Sequence, residues 1–160
     1  MARDETSVTR ETPRSHETAT MPRDEIIALF NRRQGAYDNL DAARLAADYG
    51  DDCIVDSPTG GTHTGRVAAE KVLRKVFDAF LDLKIRTDRL IVDGNQVAQV
   101  MSIEGTDLGG FLGLPPTGKV FQLPAVFLYE LNGAQIVRER RIYDFTGMLV
   151  QIGVLKAKPT

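Results

Sequence analysis

Asp107 and Arg141 are a carboxylic acid and a guanidinium in two alternating runs, side chains of types that can move a proton or hold an anion. Each belongs to a run in which every second residue shares a pattern. Val97, Gln99, Met101, Ile103, Gly105 and Asp107 form one run, and Val137, Glu139, Arg141 and Tyr143 form another. Residues two apart on a strand share a face. A third run, Leu123, Ala125, Phe127 and Tyr129, is apolar and aromatic. A carboxylic acid at the rim of an apolar cavity has its pKa raised by desolvation, and it can donate or accept a proton. An arginine paired with Asp107 across the sheet would hold it ionised, which suits a base or an anion site. The plainer alternative is a structural ion pair that satisfies two buried charges.

Two further candidates lie earlier in the chain. Asp56 precedes Ser57 and Pro58. Adjacent strand residues face opposite ways, so only one of Asp56 and Ser57 enters a pocket, unless a bulge before the proline brings Asp56 in. Otherwise Asp56 is a turn-forming aspartate bonded to nearby N–H groups. His63 lies in Gly61-Thr62-His63-Thr64-Gly65. As a neutral imidazole it could shuttle protons at a pocket mouth, or it fixes the turn entering the next helix. Tyr37 and Tyr49 carry hydroxyls that the sequence alone does not place.

Several chemistries are excluded. Cys53 is the single cysteine, so there is no internal disulfide and no cysteine-based zinc site. Only two histidines, His16 and His63, are present, which argues against a His-rich metal centre. No metal and no cofactor is expected. Thr117-Gly118-Lys119 is a fragment of a phosphate-loop pattern that fails on glycine spacing, on Pro115 and Pro116, and on the strand that follows. The formal net charge of -2 predicts neither nucleic acid nor an anionic membrane as partner. No apolar run approaches the roughly 20 residues of a membrane helix. A cytoplasmic location is expected.

The elements that must position these residues follow from periodicity. The chain has 160 residues, 42% of them apolar, which suits a single core. Residues 1–21 are Thr-, Glu- and Arg-rich without apolar periodicity. They are expected to be a disordered tail, or to precede the true start at Met21. The domain then occupies 22–156. Ile26, Ile27, Leu29 and Phe30 give a helical face after Pro22, and Gly35 is expected to interrupt it. Asp38 or Asn39 is expected to cap a second helix with Leu40, Ala43 and Ala47. A short strand over 53–56 and a strongly periodic helix with Val72, Leu73, Val76, Phe77 and Phe80 follow, the stripe reading as core. The period then becomes two. Strands are predicted over 83–92 and 96–107 around Asp93-Gly94-Asn95, and over 119–131 and 134–145 around Asn132-Gly133. Asp144 is expected to cap a short terminal helix. Helices followed by an antiparallel meander give an α+β fold, a curved sheet covered on one face by helices.

The stretch Glu104-Gly105-Thr106-Asp107, the Pro115-Pro116-Thr117-Gly118 turn, the Asn132-Gly133 hairpin and the closing Tyr143-Asp144-Phe145-Thr146-Gly147 resemble the SnoaL-like polyketide cyclases. More distantly they resemble limonene epoxide hydrolase. Both belong to the nuclear transport factor two-like superfamily, so the resemblance implies a cone-shaped, cystatin-like α+β fold with a deep small-molecule pocket. The Gly-x-His-Thr-Gly stretch at His63 also resembles SnoaL-like sequences. The resemblance places Asp107 at the epoxide-hydrolase aspartate, and Phe127 and Arg141 at the histidine and aspartate of the cyclases. The bridging arginine of the epoxide hydrolase falls on Gly105 and its second acid on Arg141.

What the resemblance implies is a cofactor-free enzyme doing acid–base chemistry, cyclisation or isomerisation, on an apolar polyketide-like small molecule. Asp107, Arg141 and Asp56 are its catalytic candidates. Tyr143, Phe127, Tyr129, Leu123, Met101 and His63 are its substrate-binding candidates. The alternatives are an epoxide hydrolase or epoxide-opening cyclase, with Glu139 or Asp56 as second acid, and a non-catalytic binding or scaffolding protein. A homodimer through the exposed sheet face is also implied. Leu108 to Leu114, rich in glycine and leucine, is read as a flexible lid.

Overall fold

The computed structural model describes residues 18–156, so His16 and most of the expected tail lie outside the described residues. The order is α1 (Arg23–Asp38), α2 (Ala42–Ala46), β1 (Tyr49–Ser57), β2 (Gly61–Thr64), α3 (Arg66–Ala79), β3 (Lys84–Asp93), β4 (Gln96–Thr106), β5 (Val120–Asn132), β6 (Gln135–Tyr143) and α4 (Phe145–Gln151). This is the expected α+β arrangement, with a curved, unclosed sheet in the order β2-β1-β6-β5-β4-β3.

Strands β4, β5 and β6 alternate buried and less buried residues along most of their length. Gln99 and Met101, Leu123 to Tyr129 at every second place, and Glu139 and Arg141 all lie on the inner face, as the two-residue period requires. Register brings them level: Gln99 pairs with Phe127, and Phe127 with Arg141. The two hairpins turn at Gly94 and Gly133, both with φ of +56°, the left-handed region that glycine enters without penalty.

Three local expectations are corrected. Helix α1 runs through Gly35 without a break. Glycine costs a helix only about 1 kcal/mol against alanine, and buried Ile26, Leu29, Phe30, Arg33 and Tyr37 hold both sides of it to the core. The cap of α2 is Asp41, not Asp38 or Asn39: its carboxylate accepts from Arg44 N at 2.9 Å. The third correction concerns the first strand, which is longer than expected. It pairs with β2 and, in parallel, with β6, so the sheet is not a pure meander. At the far end Asp144 Oδ1 accepts from Gly147 N at 2.8 Å and ends β6 at Tyr143, as expected of a cap.

Candidate functional site

Between α3, the inner face of the sheet and the start of α4 lies a cavity of about 70 Å³. Leu73, Val76 and Phe77 of α3 and Phe80 at its C-cap form one wall, so the apolar stripe serves the cavity as well as the core. Ile85, Ile103, Phe121, Leu123 and Phe127 of the sheet form the other. Arg141, Tyr143, Tyr37 and Thr59 supply its polar atoms. A liquid water occupies roughly 30 Å³, so a cavity of this volume holds a small fragment rather than a fused ring system.

The loop after Asp107 closes one end. Gly109 N donates to Ala79 O at 2.9 Å, and a Cβ on Gly109 would sit 2.0 Å from Asp78 O, so only glycine allows this approach to the end of α3. Phe111 is buried between exposed neighbours, its ring 5.1 Å from Phe80 and 6.3 Å from Phe145, and it lines the cavity. The segment read as a lid thus inserts an aromatic side chain into the pocket.

Arg141 carries the charge of the site. Its Nε donates to Glu139 Oε1 at 2.5 Å, and its guanidinium carbon lies 5.2 Å from the centre of the Phe127 ring. Tyr49 OH donates to the other carboxylate oxygen of Glu139, and Tyr49 in turn meets Arg33 Nη2 at 3.4 Å. Arg33 also donates to Leu45 O at 2.9 Å and to Asp48 Oδ2 at 3.0 Å. Burial alone would depress the Arg141 guanidinium, but Glu139 reverses this and holds it above its ordinary value. Burial first, and then the Glu139 charge, push the Tyr49 phenol upward. The guanidinium charge is therefore retained inside the protein, where an unpaired ion would not be.

Among the described residues, five buried side-chain polar atoms have no partner, and two of them belong to residues lining the cavity: Tyr37 Oη and Arg141 Nη2. Tyr143 OH lies 2.6 Å from Thr59 Oγ1 and 3.4 Å from Ser57 Oγ at the same cavity. No group of three or more His, Cys, Asp or Glu side chains that could hold a metal comes together among the described residues. Nor is any described helix long and apolar enough to cross a membrane.

The sequence candidates divide clearly. Arg141, Tyr143, Phe127 and Leu123 line the cavity. Met101 and Tyr129 are fully buried on the inner face but do not line it; Tyr129 OH donates to Gln99 Oε1 at 3.0 Å. Asp107 is buried too, yet the expected Asp107–Arg141 pair does not form. Arg141 pairs with Glu139, its same-face neighbour on β6, and Asp107 Oδ2 accepts from Thr117 N and Thr117 Oγ1, each at 3.0 Å. With Gly118 N donating to Asp107 O, this clasps the base of the Phe111 loop. Asp107 Oδ1 is left without a partner. No bulge turns Asp56 inward. It pairs with Arg138 and accepts from Thr62 Oγ1 at 2.8 Å, and those bonds, Thr62 first, lower its carboxyl below the ordinary value. Ser57, next along, faces Tyr143 instead. His63 pairs with Val55 across β1 and β2 and lies outside the cavity lining.

Tyr37 and Glu139 are the polar residues whose weight the sequence did not reveal. Glu139 was recoverable from its spacing, being two residues before Arg141. Tyr37 was not, because the depth of a helix tyrosine depends on how the helix crosses the sheet.

No curated protein matches this chain. Solved structures show the fold. A protein of Catenulispora acidiphila with a ketosteroid isomerase-like fold is 16% identical, with 82% of this chain and 97% of that one covered and a TM-score of 0.69. IdmH of Streptomyces antibioticus, described as a candidate polyketide cyclase, is 23% identical over 79% and 97%, with a TM-score of 0.65. An LEH-like epoxide hydrolase of M. tuberculosis is 18% identical over 81% and 90%, with a TM-score of 0.62. The model of SnoaL-like polyketide cyclases matches residues 28–152, most of the chain, and the protein belongs to that family.

Proposed function

We propose that this protein is a cofactor-free enzyme that performs acid–base chemistry, isomerisation or cyclisation, on an apolar small molecule bearing a carbonyl oxygen. The observation that carries the reading is that two residues lining one apolar cavity, Tyr37 and Arg141, each hold a buried polar atom without a partner, Oη and Nη2. A buried polar atom left unpaired costs about 1–3 kcal/mol, so a ligand atom is its natural partner. Both atoms carry hydrogens to donate, and a carbonyl oxygen accepts two hydrogen bonds. Such donors act most strongly where negative charge develops, and losing one from an oxyanion site typically costs about 10²–10³ in kcat.

The base in this reading is Asp107. Glu139 has both oxygens hydrogen-bonded, whereas Asp107 Oδ1 is bare. Asp107 Oδ1 takes a proton from the carbon next to the carbonyl, and the electrons of the broken C–H bond move onto the oxygen held by Arg141 and Tyr37. Where a carbon–carbon double bond is conjugated with the enolate, return of the proton to its far carbon shifts the double bond and gives an isomer. Attack of the enolate carbon on a second carbonyl of the same molecule gives a ring, and the new alkoxide then takes the proton. Asp107 does not line the cavity, and in this reading the Phe111 loop moves to let the substrate reach it. A second copy packing on the exposed sheet face at Leu128 and Ile142 completes the proposal; gel filtration at the mass of one chain would remove it.

One observation favours a binding protein instead: no carboxylate lines the cavity. The experiment is deuterium exchange of 2-butanone in heavy water, followed by NMR, with wild type and Asp107→Asn. The enzyme reading expects wild type to accelerate exchange next to the carbonyl, and Asp107→Asn to bind the ketone without accelerating it. Binding without exchange in both proteins supports the receptor. Absence of binding overturns both.

A further inference from the structure

The buried charges of the site balance in pairs. Arg141 is matched by Glu139, and Arg33 by Asp48. Glu139 is completely buried, and the groups facing it are Arg141 beside it on β6, Tyr49 and Cys53 on β1, Arg33 on α1 and Tyr129 on β5 among the described residues. No cation in that set is left over to neutralise an incoming anion. Asp107, the remaining buried acid, makes no ion pair among the described residues.

We infer that Glu139 is the specificity-determining residue of the site: by neutralising Arg141 it makes the Arg141–Tyr37 pair accept a neutral carbonyl oxygen and refuse a carboxylate of the same shape. The inference rests on the reading that this pair takes the ligand's oxygen. A lone buried arginine would favour a carboxylate through charge-assisted hydrogen bonds. With Glu139 bonded to Nε, a carboxylate on Nη2 would be a second negative charge beside the first. Like charges brought together in a desolvated site repel strongly. A ketone meets no such repulsion, and its oxygen still gains two donors. Glu139 need not touch the ligand to do this, and it does not line the cavity. It acts through the guanidinium it holds.

The probes are 2-butanone and propionate, which differ by a methyl group in place of an oxygen anion. Affinities are measured by ligand-observed NMR at neutral pH for wild type, Glu139→Gln and Tyr49→Phe. Wild type should prefer the ketone by at least about tenfold, and Glu139→Gln should reverse the order by a similar factor. Tyr49→Phe disturbs the same buried cluster but leaves the Glu139 charge, so its preference should match wild type. A second measurement needs no variant. Propionic acid should bind wild type only in its neutral form, its affinity falling as pH rises through its own pKa. Ketone binding with an order unchanged in Glu139→Gln overturns the inference and leaves the parent reading intact. Equal affinity of wild type for the neutral and ionised acid does the same. Failure of both probes to bind wild type overturns the parent reading, and this inference with it.

Discussion

Glu139 and Arg141 stand two residues apart on one strand, face the same side of the sheet, and join through Nε and Oε1 at 2.5 Å inside the protein. This contact fixes one side of the guanidinium, while Nη2 of the cavity-lining Arg141 has no partner. A buried ion pair is weak evidence of stability, yet removing one member exposes the other as an uncompensated charge. Arg141→Met alone should therefore cost about 3–5 kcal/mol. Arg141→Met with Glu139→Met should be more stable than the sum of the single changes by at least about 1 kcal/mol. Urea unfolding of the four proteins checks this, and simple additivity would show that the two side chains do not depend on each other.

Tyr37→Phe separates binding from stability. The hydroxyl is buried and makes no hydrogen bond in the protein. Its removal should leave stability unchanged or raise it by about 1 kcal/mol, while weakening the binding of a small ketone. Thermal unfolding and ketone titration of the same preparation give both numbers. A protein that loses stability but keeps its ketone affinity would make Tyr37 a packing residue only.

Asp144→Ala removes the carboxylate that accepts from Gly147 N at the start of α4. The loss should be about 1 kcal/mol, typical of a helix N-cap. Met148 of the same helix lines the cavity, so ketone affinity should fall along with the stability of α4. Hydrogen exchange of the α4 amides reads the local effect; unchanged protection would exclude the cap.

Alkali should unfold the protein through its buried phenols. Burial raises Tyr49 and Tyr129 above the ordinary tyrosine value. A raised folded pKa means their contribution is fully present below the unfolded value of about 10 and is lost as pH rises beyond it. Phenolate absorbance and circular dichroism, followed together, should show these two tyrosines ionising only as the fold is lost. Ionisation of all four tyrosines with an intact spectrum would contradict their burial.

The sequence was most legible where a period of two ran along a strand. Alternation grouped the residues of each inner face of β4, β5 and β6, and the family resemblance turned those faces to the cavity, where Phe127, Arg141 and Tyr143 lie. Pairing across long stretches of chain was illegible. The parallel contact of β1 with β6 joins segments some eighty residues apart, and no local pattern announces it. The partner of Arg141 was hidden for a different reason. Asp107 and Glu139 are both inward-facing acids, and the choice between them turned on Thr117, whose N–H and hydroxyl hold Asp107 at the loop base. Asp56 was settled by plain alternation, Ser57 facing Tyr143 while Asp56 meets Arg138.

The most direct test of the central claim is a crystal structure of the protein saturated with 2-butanone. The account predicts the ketone in the apolar cavity, its oxygen within about 3 Å of both Arg141 Nη2 and Tyr37 Oη. A ketone bound elsewhere, or one in the cavity with its oxygen turned away from both donors, would contradict it.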